Sequence, residues 1–268
     1  MEPLTFPASG NVRVQITVAV AEVRVREHAD GVGLHITGEK EPDQVVVDSS
    51  VDPDGTLRVT VSERRRRSSA WKRRKGLTIV LDTPPQTTLV IDGAAVNLHS
   101  NGRLASVRFT SAAGDARLED IAGDVDVKGA AGDINVGRVG GHLNVHLASG
   151  DISASSVSRG CNLRTASGDL SLGSLAGEGS ISSLSGDVEI GSADSGSLSV
   201  HVVSGEVVVG IAPGVSTALD VSTLSGTTRS DLEVSSAPLT ADSPQLELKV
   251  NTVSGDILIR SATRDTAA

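Results

Sequence analysis

A short glycine-based phrase recurs along this chain, and its spacing constrains the fold more than any other feature. A glycine followed by an acidic residue, usually Gly-Asp, returns every nine residues or a multiple of nine between Gly114 and Gly186. One residue is inserted before Gly196, and the nine-residue step then resumes to Gly205. A repeat of this length indicates small units that are stable only when they stack on one another. The chain is therefore predicted to be a repeat protein.

Apolar and polar residues alternate after each glycine, which is the pattern of a strand with one buried face. Two nine-residue units make a coil of about 18 residues, so residues 18 positions apart are predicted to stack. Columns read in this way are almost wholly apolar: Ala116, Ile134, Ile152, Leu170, Val188 and Val207 on one wall, and Leu89, Val107, Val125, Leu143, Cys161, Gly179 and Leu198 on the other. The sequence thus predicts an all-β fold, a single-stranded β-helix or β-solenoid, right-handed by the general bias of parallel crossovers.

The flanks of the repeat region also read as β-strands. Period-2 alternation is present in residues 12–16, 57–61 and 77–81. We expect residues 1–87 to form antiparallel strands that cap the solenoid, because an open end would expose unpaired backbone groups. Residues 88–260 are predicted to form the solenoid itself, including one more coil near the C-terminus, and residues 261–268 a flexible tail.

The composition argues against a catalytic domain. Aromatic residues make up only 1% of the chain, whereas an enzyme of this size usually fills its core with larger side chains. No Ser/His/Asp order, phosphate-binding loop or dinucleotide fingerprint is present. We therefore predict no enzymatic activity, no cofactor and no small-molecule substrate.

Cellular location is judged from the cysteine count and from the N-terminus. The single cysteine, Cys161, cannot form an intrachain disulfide, so nothing requires an oxidising compartment. Arg13 and Gln15 interrupt the first apolar segment, which argues against a signal peptide, and no stretch is long and apolar enough for a membrane span. The expectation is a cytoplasmic protein, with leaderless export left open.

The repeated Ser-Gly-Asp phrases carry a resemblance to a known family. They stand at Ser149-Gly150-Asp151, Ser167-Gly168-Asp169, Ser185-Gly186-Asp187 and Ser254-Gly255-Asp256. In phrase and spacing the chain resembles, over residues 10–260, the bacterial "putative adhesin" family of β-strand-repeat proteins, a group of domains of unknown function. The resemblance implies a β-helical solenoid, and it brings no catalytic or binding residues.

Several residues invite a chemical interpretation, and each has a simpler structural one. The acidic residue after each glycine is expected to accept turn amides; the spacing lacks the double-glycine frame of calcium-binding nonapeptides. Asp124 and Asp126 could act on polysaccharides, but they are better explained as a solvated outer face. His142 and His146 lie roughly 13 Å apart on a strand, too far to bind one zinc ion. Cys161 falls at an inward position and is interpreted as a core residue.

A basic segment is the one feature that folding does not explain. Residues 64–75 hold eight of the 24 basic residues and no acids, so the rest of the chain carries 16 basic and 33 acidic residues, a net charge of −17. We expect a long hairpin loop between two strands that contacts an anionic surface or an acidic partner. The predicted contact residues are Arg64, Arg65, Arg66, Arg67, Trp71, Lys72, Arg73, Arg74 and Lys75.

Two functional hypotheses follow from these features. The first is a non-enzymatic, adhesin-like scaffold that binds a protein partner or self-associates, with the basic loop of one copy docking on the acidic face of another. The second is a peripheral regulator that binds nucleic acid or an anionic membrane through residues 64–75. A polysaccharide-binding or polysaccharide-active β-helix is a distant third.

Overall fold

The structure is a computed structural model that describes residues 4–8, 10–28, 31–38, 45–63, 76–232 and 245–262. These ranges consist of β-strands joined by turns, and they contain no helix. The all-β prediction is therefore confirmed. The strands form a solenoid-like sheet within two compact units, Met1–Val136 and Gly137–Ala268, which are described separately below.

The first unit contains ten complete strands and the start of an eleventh. They are β1 (Leu4–Phe6), β2 (Val12–Glu27), β3 (Val32–Thr37), β4 (Val45–Val51), β5 (Leu57–Glu63), β6 (Leu77–Thr83), β7 (Thr87–Leu104), β8 (Ser106–Ala113), β9 (Ala116–Ile121), β10 (Val125–Ala131) and β11 (Ile134–Val139), which continues past residue 136.

Parallel stacking in the first unit follows the predicted column. Leu89 of β7 pairs with Val107 of β8, and Val107 pairs with Val125 of β10, each step being 18 residues. All three side chains are buried, with at most 2% of their surface exposed. We call each layer of such a parallel stack a rung. The stacking begins before residue 88, because Val14 of β2 pairs in parallel with Leu89.

The strands around the basic segment differ from the predicted hairpin. β5 pairs in parallel with residues 12–17 of β2, and β6 pairs in parallel with residues 21–27 of the same strand. The two strands therefore follow one another along a single rung, so residues 64–75 connect successive parts of that rung. The strands β5 and β6 are therefore not partners in a hairpin.

Antiparallel strands cover the outer edge of this first rung. β4 pairs with β5, β3 pairs with β6, and β1 pairs with β3, all in antiparallel register. This arrangement occupies the backbone groups that an open rung would leave unpaired. Antiparallel N-terminal strands were predicted; the division of the chain into a cap at 1–87 and repeats at 88–260 stays a prediction.

The second unit contains the remaining strands. They are β12 (His142–His146), β13 (Ile152–Val157), β14 (Gly160–Ser167), β15 (Leu170–Ala176), β16 (Glu178–Ser185), β17 (Val188–Ser204), β18 (Val207–Ile211), β19 (Ser216–Ser225), β20 (Thr228–Asp231), β21 (Gln245–Ser254) and β22 (Ile257–Ser261). The first two residues of the predicted flexible tail are ordered in the sheet, because Ser261 ends β22 and Ala262 is buried, and residues 263–268 lie outside the described part of the chain.

The core of the second unit is built from the predicted columns. Ile152 pairs with Leu170, Leu170 with Val188, and Val188 with Val207, in parallel register. Each of these side chains is at most 1% exposed, so they form a continuous aliphatic interior. The last step is 19 residues instead of 18, since one residue is inserted before Gly196.

Stacked glycines form the corners between the strands. Gly168, Gly186 and Gly205 have φ values of 133°, 133° and 149°, which residues with a side chain rarely adopt. A Cβ atom on Gly186 would also overlap the carbonyl oxygen of Gly168 in the adjacent rung. Close backbone approach and positive φ together explain why the repeat phrase requires glycine.

The order of the last rungs in space differs from their order along the chain. β21 pairs in parallel with β17 on one side, through Leu198 and Leu248, and with β19 on the other, through Leu248 and Leu219. The predicted C-terminal coil therefore lies between two earlier segments, and β19 and β20 form the final rung. Two inward-column positions of β20 hold the polar, exposed residues Thr228 and Ser230, as expected for a rung that ends a stack.

Candidate protein-binding surface

The contact residues predicted from the sequence lie outside the described part of the chain. They belong to the basic segment, residues 64–75, and are Arg64, Arg65, Arg66, Arg67, Trp71, Lys72, Arg73, Arg74 and Lys75. Its ends are fixed by strands, since β5 ends at Glu63 and β6 begins at Leu77. The role of the segment stays a prediction.

The acidic residues of the repeat phrase accept backbone hydrogen bonds between rungs. In the second unit, Oδ1 of Asp151 accepts the amide of Asp169 at 2.9 Å, and Oδ1 of Asp169 accepts the amide of Asp187 at 2.9 Å. Oδ1 of Asp187 accepts the amide of Glu206 at 2.8 Å. These carboxylates therefore satisfy turn amides, as the sequence suggested, but each satisfies the turn of the neighbouring rung.

A hydrogen bond of the same kind holds the turn of the final rung, between β19 and β20. Oδ1 of Asp256 accepts the Thr227 amide at 2.7 Å and the Thr227 hydroxyl at 2.9 Å. These two hydrogen bonds lower the pKa of Asp256 below its ordinary value of 3.8. The carboxylate is thus ionised at neutral pH and remains exposed to solvent.

Two of the other residues considered from the sequence, Asp126 and Cys161, have ordinary structural surroundings. Asp126 accepts a hydrogen bond from Nε of Arg108 at 3.3 Å and lies 4.0 Å from Nζ of Lys128. Cys161 is 6% exposed, and burial raises the pKa of its thiol to about 12, so it is a poor nucleophile. Within the described ranges, no group of three or more His, Cys, Asp and Glu side chains is placed to hold a metal ion.

An open depression of about 580 Å³ in the first unit contains charges of both signs. Its lining includes Arg13, Arg103, Asp52 and Asp54. Nη2 of Arg58 donates to Oδ2 of Asp52 at 2.7 Å. Hydrogen bonds from the amide and hydroxyl of Thr56 lower the pKa of Asp54, which makes this carboxyl unsuited to donate a proton at neutral pH.

One polar network in the second unit has the residue types of a hydrolase. Oγ of Ser199 lies 3.0 Å from Nε2 of His201, and Nδ1 of His201 lies 3.4 Å from Nδ2 of Asn251. Ser222 donates to Oδ1 of Asn251 at 2.6 Å. Acyl transfer also needs hydrogen-bond donors aimed at an oxyanion, most often backbone amides, whereas the backbones of these strands, β17, β21 and β19, pair with one another in a sheet. The network is interpreted as a polar ladder across three rungs.

A column of large apolar side chains is exposed beside this ladder. Leu184, Val203, Val253 and Leu224 are 57%, 44%, 47% and 84% exposed. The register of β16, β17, β21 and β19 places them on four successive rungs. They account for four of the six large apolar residues that are exposed within the described ranges. We call these four side chains the apolar row.

Acidic turns border the apolar row on one side. Asp187, Glu206 and Asp256 each follow a member of the row by three residues, after Ser-Gly, and all three are exposed. The fourth member, Leu224, is followed by Thr227 at the same place. A surface of this kind, apolar in the middle and polar at its edge, is typical of sites that bind other proteins.

The sequence analysis missed the apolar row, although a signal for it was present. Each member directly precedes the Ser-Gly of a repeat phrase, at a position that period-2 alternation assigns to the outside. At the same place two earlier phrases have the small residues Ala148 and Ala166. A large apolar residue at an outward position of a regular repeat is therefore the observation that could have found it.

Within the ranges that the structure describes, no helix has the length and apolarity needed to cross a bilayer. The cellular location stays a prediction.

Comparison with solved structures gives distant likenesses. A "putative cell adhesion protein" from Clostridium sporogenes shares 12% identity, with 97% of this chain and 98% of that chain covered and a TM-score of 0.34. A "putative adhesin" from Bacteroides fragilis shares 13% identity over 96% and 95% of the two chains, with a TM-score of 0.41. A "putative lipid binding protein" from Parabacteroides distasonis shares 13% identity over 97% and 95%, with a TM-score of 0.26.

Likenesses this distant do not identify a function. Among curated proteins, none matches this chain in sequence. A family model does match, over residues 11–260, which is nearly the whole chain. The match agrees with the resemblance carried by the Ser-Gly-Asp phrases, and the family is one of domains of unknown function. This chain belongs to the Toastrack DUF4097 family.

Proposed function

We propose that this protein is a non-enzymatic, adhesin-like scaffold that binds another protein through the apolar row. In this proposal the chain winds as a right-handed β-solenoid with coils of about 18 residues, and the solenoid presents one side chain of the row on each coil. The single observation that carries the proposal is the exposure of Leu184, Val203, Val253 and Leu224 in one column.

The energetics of exposure support a binding role. The row presents an exposed apolar area on the order of a few hundred Å², comparable to the largest patch on a typical soluble monomer. At about 25 cal/mol per Å², covering it would contribute several kcal/mol. Association itself costs about 4 kcal/mol or more in lost freedom of movement, so the row requires additional polar contacts from its surroundings. The acidic turns beside the row are suited to supply them.

The regular spacing favours a rigid binding surface. Successive members of the row lie on hydrogen-bonded rungs, so they are about 4.8 Å apart along the stack. Sheet pairing on both sides fixes the backbone of Val203 and the backbone of Val253. A partner therefore meets a surface that is already ordered, which reduces the entropy lost on binding.

Site-specific cross-linking tests this proposal. A photo-reactive amino acid replaces Ser182, which lies outward on β16 two residues before Leu184, and cells of the native host are irradiated. We expect a discrete protein adduct that disappears when Leu184, Val203, Val253 and Leu224 are all changed to threonine. The adduct should persist in Val51→Thr, since Val51 is 68% exposed but lies in β4, outside the row.

Two results would contradict the proposal. One is an adduct that forms equally well with the fourfold threonine variant, which would show that binding does not depend on the row. The other is the lack of any adduct at Ser182 under conditions in which a probe at Leu224 also gives none.

A further inference from the structure

We infer that the partner of the apolar row is a second copy of this chain, whose residues 64–75 dock on the row and on the acidic turns beside it. This inference rests on the proposed function, because it names the occupant of the same surface. Charge, size and side-chain type each favour this occupant.

The charges of the two surfaces are complementary. Asp169, Asp187, Glu206 and Asp256 are exposed and lie on successive rungs, so the acidic column presents one carboxylate about every 4.8 Å. The segment 64–75 has eight cations and no acid. Opposite columns of charge guide encounter and fix the register of a complex.

Hydrogen bonds hold three of these carboxylates in place. Oδ1 of Asp169, of Asp187 and of Asp256 each accepts a backbone amide of the neighbouring rung, at 2.7–2.9 Å. A fixed carboxylate loses little conformational freedom when a cation approaches it. Arginine, which supplies six of the eight cations, binds carboxylates through two parallel hydrogen bonds.

The length of the segment matches the length of the surface. Twelve residues extend to at most about 40 Å, and a segment attached at both ends reaches about half of that, roughly 20 Å. The acidic column and the apolar row each span four rungs, about 14 Å, and share three of them, so together they cover five rungs, about 19 Å. The segment is therefore long enough to lie along all five rungs.

Trp71 gives the segment a large apolar side chain, as the row requires. It is the one tryptophan of the chain and lies between Arg67 and Lys72, with basic residues on both sides of it in sequence. Tryptophan and arginine are among the residues that most often dominate the binding energy of protein interfaces. In this interface the indole would cover leucine and valine side chains while the cations pair with the acidic turns.

The contact is heterologous, because the segment and the row are different surfaces. Such contacts extend from copy to copy into rings or chains and do not stop at a dimer. A copy with a defective row still offers its segment, and a copy with a defective segment still offers its row. Mixing the two defective copies should therefore restore a single contact.

Light scattering and sedimentation of the purified full chain test the inference. We expect wild type to form oligomers at about 50 mM salt. Its affinity for itself should fall at least tenfold at about 500 mM salt, where charges are screened within a few Å. The row variant (Leu184→Thr, Val203→Thr, Val253→Thr and Leu224→Thr) should be monomeric, as should a variant with the eight cations changed to glutamine. Their equimolar mixture should form a dimer that grows no further.

Controls separate loss of contact from loss of fold. Val51→Thr removes an exposed apolar side chain outside the row and should leave oligomers unchanged. Trp71→Ser keeps all eight cations and should weaken association about tenfold or more, which a purely electrostatic contact would not show. The buried thiol of Cys161 should stay unreactive in every variant that is folded.

Several outcomes would overturn the inference. These are a wild type that is monomeric at both salt concentrations, a cation-free variant that associates as wild type does, or a mixture of the two defective variants that stays monomeric. A monomeric wild type would leave the proposed function intact if the Ser182 adduct contains another protein and depends on the row. An adduct at Ser182 that forms equally well in the row variant would instead contradict the proposed function.

Discussion

The stacked glycine corners allow a quantitative test of how the rungs are held together. Gly186 has a φ of 133°, and a Cβ atom added there would overlap the carbonyl oxygen of Gly168 and lie 3.1 Å from Oδ1 of Asp169. Asp169 must then move, although it accepts the Asp187 amide at 2.9 Å. Gly186→Ala therefore introduces backbone strain and also disturbs a bond between rungs.

The expected destabilisation has two parts. Strain at this φ costs about 1–3 kcal/mol, and weakening a hydrogen bond to a charged acceptor costs about 1.5–3 kcal/mol. We expect Gly186→Ala to lower the free energy of unfolding by about 3–5 kcal/mol, a large effect for a single substitution. The value applies to the second unit, in which all of these residues lie.

Gly214 provides a matched control. It also has a positive φ, 85°, but a Cβ atom there would have no other atom within 4 Å. Gly214→Ala should therefore destabilise the protein only by the strain of the left-handed conformation, about 1–2 kcal/mol. The entropy that alanine removes from the unfolded chain is the same in both variants and cancels in the comparison.

Urea denaturation followed by circular dichroism measures both variants against wild type. The midpoint for Gly186→Ala should fall well below that for Gly214→Ala, with similar slopes. If the two substitutions destabilise the protein equally, close approach between rungs contributes nothing, and the explanation given for the repeated glycine is wrong.

Three further predictions concern the second unit. Cys161 should react with a maleimide at pH 8 about a thousandfold more slowly in the folded protein than in urea, because its pKa is about 12 and it is 6% exposed; reaction at the unfolded rate would contradict its burial. Asp256 has a pKa that is lower in the folded than in the unfolded chain, so its contribution to stability is present above the unfolded value and is lost as pH falls through the folded one. The difference in melting temperature between wild type and Asp256→Asn should therefore shrink below about pH 4, and a difference independent of pH would refute this. Leu172→Ala should destabilise by about 2–5 kcal/mol, whereas Leu224→Ala, at an 84% exposed position, should change stability little in the same denaturation assay.

Much of the fold could be predicted because the repeat is local. Two residues that lie 18 positions apart, such as Ile152 and Leu170, become neighbours whenever the chain completes one rung, so the apolar column is visible in the sequence. The glycine of each Ser-Gly-Asp phrase is equally visible, since its positive φ strongly disfavours residues with a side chain. These features depend only on residues within one or two rungs of each other.

The candidate site was less accessible to prediction. The basic segment attracted attention through its composition, and its binding role stays a prediction. The apolar row is harder to find, because Val203 and Val253 are separated by 50 positions in sequence and become neighbours only through the inserted strand β21. Without the rung order, four scattered Leu-Ser-Gly and Val-Ser-Gly phrases do not indicate a continuous surface.

The sequence by itself determined the strands, the inward columns and the glycine corners, since alternation and spacing are properties of short stretches of chain. Only the tertiary structure decided which rungs are neighbours where the repeat is interrupted. It places β5 and β6 together on one rung beside β2, and it inserts β21 between β17 and β19. The physical reason is that any strand with an apolar face can pair with any rung of matching register, and the pairing that buries most surface is a property of the whole chain.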